Sequence, residues 1–530
     1  MDGSHTQSLE EVNDRFLEHF RELLNQESSV PPDTWDSILP APMAQVPSLG
    51  LPFSLEGCRI ALSQCPNEKA PGLSATPIEA LKYGYSETGL QIQCNLFNRM
   101  LAAGYVPHAL KAVQVIPVFK KGSRDVCDNY RGISLMEHKI KWLERIILNR
   151  LQPYAESDPS ETMLPSTQWG FRQDRSAIDA IMINRLITNN AMRSKTNTYK
   201  CFIDLSKAYD RVDRPLLWEL LRRLGIPTTL VRLLENLHTG SSAVVVTLGC
   251  SKPSAEFALA CGLKQGSVLA PLLFNLFSGA MIKHWKRLIR DSQAGVRVIF
   301  NVNSSPLDFS TIQTAPLKHM PEALSYQNRK FRIQELLYAD DCVIYAESAA
   351  QLQDLVGAYY KAAMDFGQQV SPTKSKVMVV QAAKDAPDPI PVTIRLSPTD
   401  TTVLQVVTEF SYLGSTDSQD GSTGTELNNR IARLRGAYFR LQGRVFENFY
   451  WPLNSSFLRC LSSLSPCMAA LPGTSRKNKW GHWTKCSTAY YDAYSAITSL
   501  HRSSPSRPHM LTSSTRLGNK ETPSSTPWRL

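Results

Sequence analysis

The sequence predicts an α+β protein in which helices pack on one face of a sheet. Three observations indicate this class: short strand patterns, longer amphipathic helix patterns, and an alternation between them that lacks the regular spacing of βαβ units. The chain has 530 residues, enough for several domains around a large core. Its contents of 42% hydrophobic and 20% charged residues exclude a fibrous or largely disordered protein.

The first part of the chain is mostly helical in pattern. Residues 8–26 place Leu9, Val12, Phe16, Phe20 and Leu23 on one stripe, which predicts an amphipathic helix. A proline-rich connector follows over roughly 30–52. From there to about residue 200, helical patterns surround one predicted strand at 113–119 and two turn-like, glycine-containing pieces at 120–135 and 168–181.

The middle of the chain gives the clearest local signals. Residues 199–205 read as a strand with Phe202 and Asp204 on the same face. Asp213 can cap a following helix that Gly225 closes. The elements expected next are a helix at 230–237, paired strands at 243–248 and 257–261, and a long apolar helix opened by Ser267.

The later elements lead to a tail of different character. We expect a strand hairpin around 336–345, a helix at 349–366, a strand at 376–380 and a hairpin around 410–415. Residues 451–530 contain 24 Ser and Thr, ten Lys and Arg, and two Asp and Glu, without sustained periodicity. We therefore expect a basic, disordered tail.

Charge and cysteine usage bear on partners and compartment. The net charge of +11 comes mostly from the tail, but residues 111–150 also hold nine Lys and Arg against four Asp and Glu, which suits either a polyanionic partner or a solvated face. The polar N-terminus, the absence of a long apolar run and eleven unpatterned cysteines predict an intracellular protein, nuclear or cytoplasmic, with no membrane partner.

Two adjacent carboxylates, Asp340 and Asp341, interrupt the apolar stretch LLYADDCVIY at 336–345. Burying them is costly unless cations offset their charge. Two Mg²⁺ ions about 4 Å apart can activate a 3′-hydroxyl and stabilise a pyrophosphate leaving group, usually with a third carboxylate from a neighbouring strand. Asp204 is the candidate for that third ligand. Alone, the motif would favour a surface hairpin with two solvated aspartates.

The motif does not stand alone, and the chain resembles a known family. The segments that carry the resemblance, in order, are IPVFKKG at 116–122, NYRGISL at 129–135, QWGFRQDRSAIDAI at 168–181, FIDLSKAYD at 202–210, GLKQGSVLAPLLFNLF at 262–277, YADD at 338–341, PTKSKVM at 372–378 and FSYLGS at 410–415. Together they resemble the reverse transcriptases of LINE-type (non-LTR) retrotransposons, over about residues 60–445.

The resemblance implies a right-hand polymerase fold, with a palm formed by an antiparallel sheet and packed helices. Its implied divisions are an N-terminal helix and linker at 1–52, fingers at 53–198, palm at 199–405, primer grip and start of a partial thumb at 406–450, and the tail at 451–530. A zinc knuckle in the tail from Cys460, Cys467, His482 and Cys486 is disfavoured, because six residues separate the first two cysteines.

The resemblance also implies roles for individual residues. Asp204, Asp340 and Asp341 would be the catalytic, metal-binding aspartates for two Mg²⁺ ions, with Mn²⁺ as an alternative. Lys374, or less favourably Lys376, would protonate the pyrophosphate. The residues implied to bind substrate are Lys120, Lys121 and Arg131 at the triphosphate, Tyr209 at the sugar, and Gln265 and Gly266 at the templating base pair. Tyr209 could instead be a core aromatic.

These residues imply an RNA-directed DNA polymerase, a nucleotidyltransferase that extends a DNA or RNA primer on an RNA template with deoxynucleoside triphosphates. The main alternative is a catalytically inactive remnant that still binds nucleic acid. A viral-type RNA polymerase is disfavoured, because the ring of Tyr209 would collide with a ribose 2′-hydroxyl.

Overall fold

The computed structural model describes residues 8–26, 30–157, 163–247, 249–250, 252–290, 294–300, 329–380, 393–395 and 401–441. Residues 1–426 form one compact unit and residues 427–530 a second, of which residues 427–441 are described. The predicted tail at 451–530, with its four Cys and His residues considered for zinc, lies outside the described residues.

Helices make up much of the described chain. They are α1 (Leu9–Leu23), α2 (Trp35–Ile38), α3 (Leu55–Gln64), α4 (Ile78–Gly84), α5 (Glu87–Ala103), α6 (His108–Lys111), α7 (His138–Glu156), α8 (Ala177–Ser194), α9 (Arg214–Arg223), α10 (Thr228–His238), α11 (Ala270–Leu288), α12 (Ala349–Asp365) and α13 (Gly424–Leu441). Within the described ranges, no helix has both the length and the hydropathy to cross a membrane.

The strands are short. They are β1 (Val113–Phe119), β2 (Tyr130–Leu135), β3 (Thr198–Ile203), β4 (Ser242–Val245), β5 (Phe257–Ala258), β6 (Val296–Phe300), β7 (Arg329–Ile333), β8 (Glu335–Tyr338), β9 (Asp341–Ala346), β10 (Lys376–Val380), β11 (Thr393–Arg395), β12 (Thr401–Val403), β13 (Gln405–Val406), β14 (Glu409–Tyr412) and β15 (Ser415–Ser418).

Several local predictions are confirmed because their signals depend on neighbouring residues alone. The strands predicted at 113–119 and 376–380 are β1 and β10, with the predicted bounds. The Asp213 side chain caps α9 by accepting a hydrogen bond from the Leu216 amide, and Gly225 follows the helix with a φ of +77°. In α1 the predicted stripe is buried at Phe16, Phe20 and Leu23 and half-buried at Val12, while Leu9 is 50% exposed.

The central sheet has five strands in the order β13–β10–β3–β9–β8. All neighbours are antiparallel except the short parallel pair β10–β13. The α+β prediction is therefore confirmed, with a mixed rather than purely antiparallel sheet.

Helices cover both faces of this sheet, so the expectation of helices on one face is wrong. Cys201 and Ile203 of β3 belong to the core shared with α11 and α12. Phe202, which points the opposite way, packs in a second core with Ile187 of α8 and Tyr412 of β14. The error arises because the amphipathic pattern of α8 does not specify which face of the sheet it covers.

A second sheet has the order β2–β1–β4–β5, with β1 and β4 parallel. The sequence predicted a turn-like piece over 120–135, but residues 130–135 form strand β2 along β1. Gly132 lies in this strand, where a Cβ would come within 2.7 Å of the Phe20 ring. This close contact explains why the residue is glycine. The glycine therefore reflects close packing of α1 on the sheet and not a turn.

Candidate active site

A tight hairpin carries the two adjacent aspartates at one end of the central sheet. The pairing of strands β8 and β9 ends at Tyr338 and Asp341, so Ala339 and Asp340 form the turn. Ala339 adopts a left-handed conformation with a φ of +56°. This conformation is sparsely populated for a residue with a Cβ, so surrounding contacts must hold it.

Asp204 lies directly across from this hairpin. Strand β3 runs antiparallel to β9, and the last registered pair is Ile203 with Cys342. Continuing the register by one residue sets Asp204 opposite Asp341. The structure thus places the three aspartates, which are far apart in sequence, at adjoining positions on one edge of the sheet.

The carboxylates of Asp204, Asp340 and Asp341, here called the acidic cluster, repel one another. Burial raises the pKa of the Asp340 carboxyl, and the charge of Asp204 raises it further, while Lys120 and Arg131 oppose the shift. Burial of the Asp341 carboxyl, together with repulsion from Asp340 and Asp204, raises its pKa to about 6. The residue as a whole remains exposed to solvent. A cation bound beside these groups would relieve the repulsion.

Lys374 is the lysine that meets the cluster. Its Nζ lies 3.5 Å from Oδ2 of Asp204, an ion pair whose acid side chain is 38% exposed. Lys376 points elsewhere, because its Nζ donates hydrogen bonds to the Thr373 carbonyl at 2.6 Å and the Gln405 side chain at 2.8 Å. Of the two lysines proposed from sequence, only Lys374 is placed to act at the aspartates.

The hairpin of β1 and β2 contributes basic groups. The register pairs Val118 with Arg131, and the Lys120 amide donates to the Asn129 carbonyl at 2.8 Å, so Lys120 and Arg131 lie near each other. Burial lowers the pKa of Lys120, and repulsion from Arg131 and Lys374 lowers it further. The charges of Asp204, Asp340, Lys120 and Arg131 therefore share one neighbourhood. Lys121 is exposed next to Lys120.

Tyr209 lies between the core and the acidic cluster. Its ring stacks on Phe274 with 4.4 Å between centroids, and its hydroxyl is buried with no hydrogen-bond partner among the described residues. Burial, with a contribution from the charge of Asp340, raises its pKa. The ring is thus partly a core aromatic, while its hydroxyl is close enough to Asp340 to be affected by that charge.

Gln265 and Gly266 lie against the β1–β2 sheet. The Gln265 carbonyl accepts a hydrogen bond from the Ser134 amide at 2.7 Å. Gly266 has a φ of +135°, and a Cβ there would come within 2.4 Å of the Ser134 carbonyl oxygen. Only glycine fits this close backbone approach.

The donor set of the acidic cluster suits a hard divalent cation. Across the described ranges, no three His, Cys, Asp or Glu side chains are already gathered into a metal-binding group. However, Oδ2 of Asp204 is buried and has no hydrogen-bond partner within the described residues, and its neighbours are carboxylates. Carboxylate oxygens are the ligands that Mg²⁺ prefers. Asp204, Asp340 and Asp341 therefore fit a divalent ion by their chemistry.

Sequence reasoning missed a buried charge on the strand that leads to Asp204. Lys200 of β3 is fully buried and forms an ion pair of 2.7 Å with Asp417 of β15. Asn184 donates to the same carboxylate oxygen at 2.8 Å. A lysine within the otherwise apolar strand TYKCFI was the available signal, but its partner lies 217 residues away.

Residues 118–417 match the family model of the reverse transcriptase (RNA-dependent DNA polymerase). The chain is 30% identical to the RNA-directed DNA polymerase from mobile element jockey of Drosophila funebris, over 43% of this chain and 24% of that protein. It is 30% identical to the jockey polymerase of Drosophila melanogaster, over 44% of this chain and 25% of that protein.

A further relative comes from a different element. The probable RNA-directed DNA polymerase from transposon X-element of Drosophila melanogaster is 30% identical over 43% of this chain and 24% of that protein. The chain spans about a quarter of the length of these curated relatives. Because the family model covers more than half of the chain, this protein belongs to the reverse transcriptase (RNA-dependent DNA polymerase) family, as the resemblance of its motifs predicted.

Proposed function

We propose that this chain is an RNA-directed DNA polymerase of a non-LTR retrotransposon. It would add deoxynucleotides to a DNA or RNA primer on an RNA template. The observation that carries the proposal is the position of Asp204 at the end of β3, opposite Asp341 and beside Asp340 in the hairpin turn. Family membership and the 30% identity to polymerases of mobile elements support it.

The proposal divides the chain as a right hand. Residues 53–198 would be the fingers and 199–405 the palm, whose centre is the five-stranded sheet. Residues 406–450 would start with the primer grip, the hairpin of β14 and β15, and lead into a thumb. The hairpin packs on the same sheet face as Phe202, since Phe410 stacks on that ring at 4.2 Å.

In the proposed mechanism, Asp204, Asp340 and Asp341 would hold the divalent cations that the reaction needs. Two bound Mg²⁺ ions would make the 3′-hydroxyl of the primer more acidic and would neutralise negative charge on the pyrophosphate leaving group. The raised pKa values of Asp340 and Asp341 support such a role, because burial and, to a smaller extent, repulsion among the carboxylates disfavour the charged forms that a bound cation would stabilise.

Basic residues orient the triphosphate for in-line displacement. Arg131 can grip phosphate oxygens with its planar fork, and Lys120 and Lys121 add positive charge along the same hairpin. The proximity of Lys120 and Arg131 to the aspartates supports this role. Lys374 holds a proton at Nζ and can give it to the departing pyrophosphate, and its ion pair with Asp204 favours it over Lys376.

Two further contacts would select the substrate. Tyr209 blocks the space that a ribose 2′-hydroxyl needs, so deoxynucleotides are accepted. Gln265 and Gly266 lie against the templating base pair, where the glycine permits close approach of the backbone.

Primer extension tests the proposal. The full-length protein is incubated with oligo(dT) annealed to poly(rA), labelled thymidine triphosphate and Mg²⁺. We expect incorporation that requires Mg²⁺ and is abolished in Asp340→Asn. The exposed residue Asp354 on α12 provides a matched control, because Asp354→Asn removes the same charge at a position that the proposed chemistry does not use.

The opposite result would identify an inactive remnant. Binding to the same duplex that weakens steeply with salt, without any incorporation, would mean that the basic surface has persisted and catalysis has not.

A further inference from the structure

A buried glutamine contacts the strained turn that carries the aspartates. Gln168 is 1% exposed and lies in the loop before α8. Its Oε1 accepts a hydrogen bond from the Ala339 amide at 2.8 Å, and its Nε2 donates to the Ala339 carbonyl at 3.3 Å. One side-chain amide thus binds both backbone groups of the residue that has a φ of +56°.

The chemistry of these contacts requires a carboxamide. A side chain that binds an N–H and a C=O at once must both accept and donate, and among uncharged side chains of this length glutamine does so with a planar group. Oε1 also accepts a hydrogen bond from the Gly170 amide at 2.8 Å, so the same oxygen stabilises the conformation of the loop.

The surrounding backbone brings the glutamine to the turn. Residues 167–169 add to the edge of β8, since the Trp169 amide donates to the Leu337 carbonyl at 2.8 Å and the Leu337 amide to the Thr167 carbonyl at 3.0 Å. At Gly170 the loop touches the turn so closely that a Cβ would lie 2.4 Å from the Ala339 nitrogen.

The loop is itself anchored to a core helix. The buried side chain of Asn275 on α11 donates to the Gly170 carbonyl at 2.7 Å. A chain of hydrogen bonds therefore runs from α11 through the loop to the turn, and ends one residue before Asp340.

We propose that Gln168 is a positioning residue that fixes the conformation of Ala339 and thereby sets where the carboxylates of Asp340 and Asp341 meet a divalent cation. This inference rests on the proposed polymerase function. Gln168 does not touch substrate or metal; it acts through the turn. Groups that orient metal ligands in this way are a general requirement of metal sites.

The test replaces Gln168 by Met, which has similar length and makes none of the three hydrogen bonds. Mn²⁺ binding to the full-length protein without substrates is measured by loss of the free-ion electron paramagnetic resonance signal. We expect Gln168→Met to weaken Mn²⁺ binding about 10-fold or more, as is typical when a group that orients metal ligands is removed. In primer extension, kcat should fall by a similar factor with the KM for thymidine triphosphate unchanged.

Gln173→Met is the matched control, because Gln173 is exposed in the same loop. It should leave both Mn²⁺ binding and kcat unchanged.

A second variant separates positioning from support of the fold. Glycine adopts a φ of +56° without strain, so Ala339→Gly in the Gln168→Met background should recover part of the melting temperature that Gln168→Met loses. It should not restore Mn²⁺ affinity, because glycine relieves the strain without defining the turn. Recovery of affinity and kcat together with the melting temperature would overturn the inference, as would unchanged Mn²⁺ affinity in Gln168→Met.

The two proposals fail in different ways. If the wild-type protein binds Mn²⁺ and extends primers while Gln168→Met matches it, only the role of Gln168 is wrong. If the wild-type protein does neither, the proposed polymerase function is overturned, and this inference with it.

Discussion

Two charged residues, one within strand β3 and one directly after it, lie four positions apart and have opposite environments. Lys200 is fully buried, and its ammonium pairs with Asp417 and donates to Thr188 at 2.5 Å. Asp204 is 38% exposed, and its buried Oδ2 has no hydrogen-bond partner among the described residues beyond the longer ion pair with Lys374. One charge is fully satisfied, and the other is left available.

The difference separates a structural charge from one suited to function. Burial lowers the pKa of Lys200, but the adjacent carboxylate of Asp417 opposes the shift and keeps the pair together. At the other end of the strand, Asp204 raises the pKa of both hairpin aspartates. A bound cation can stabilise the three aspartates because it relieves their repulsion. The Lys200–Asp417 pair already contains its counter-ion.

The largest expected effect is on catalysis. We expect Asp204→Asn to lower the rate of primer extension at least about 10⁴-fold, the size of loss seen when one member of a group that acts as a unit is removed. The fold should persist or become slightly more stable, because one of three repelling charges is gone. Single-turnover extension and thermal melting of the same preparation measure both. A melting temperature that falls in step with activity would contradict the comparison.

The second effect is on stability at the other end of the strand. Lys200→Met leaves the carboxylate of Asp417 buried without its cation, which should cost about 3–5 kcal/mol of unfolding free energy. Urea unfolding of the single variant and of Lys200→Met with Asp417→Leu measures this cost.

The double variant should be more stable than the single one, because no unpaired charge remains. The remaining folded protein should extend primers at a near-normal rate. A loss of kcat in Lys200→Met comparable to that of Asp204→Asn would show that the two charges are not separated in function.

A third effect is on sugar selection. Tyr209→Ala should admit ribonucleotides and lower the preference for deoxynucleotides about 10- to 200-fold, the range available to steric contacts of this kind. Incorporation of dTTP and UTP on poly(rA) gives the ratio. Tyr209→Phe is the control, since it keeps the ring and removes the unpartnered hydroxyl; it should retain selectivity. Loss of selectivity in the phenylalanine variant would mean that the hydroxyl, not the bulk, selects the sugar.

The smallest effect is the dependence of stability on pH in the absence of metal. Burial and repulsion from Asp340 and Asp204 raise the pKa of Asp341 from 3.8 to about 6 in the folded protein, so stability falls as pH rises from 3.8 to about 6 and the full penalty applies above 6. Asp341→Asn should therefore raise the melting temperature by about 1–4 °C at pH 8 and by less at pH 5. Calorimetry in EDTA measures the two shifts. A larger gain at pH 5 than at pH 8 would reverse the sign and contradict the proposed repulsion.

The sequence by itself determined the local elements and the identity of the acidic cluster. β1, β10, the cap of α9 at Asp213 and the hairpin at Asp340 depend on side-chain alternation, capping and turn chemistry among neighbours in the chain, which a single sequence contains. The ordered motifs also predicted the family and the convergence of Asp204 with the hairpin.

Only the tertiary structure decided which distant groups meet. Gly132 indicates a turn in the sequence, but in the structure it makes room for the Phe20 ring. No local signal indicates that α8 covers the second face of the sheet. The ion pair of Lys374 with Asp204 and the hydrogen bonds of Gln168 to Ala339 are likewise contacts between separate segments. Burial and pairing are set by the packing of elements far apart in sequence, so a pattern read along one chain cannot specify them.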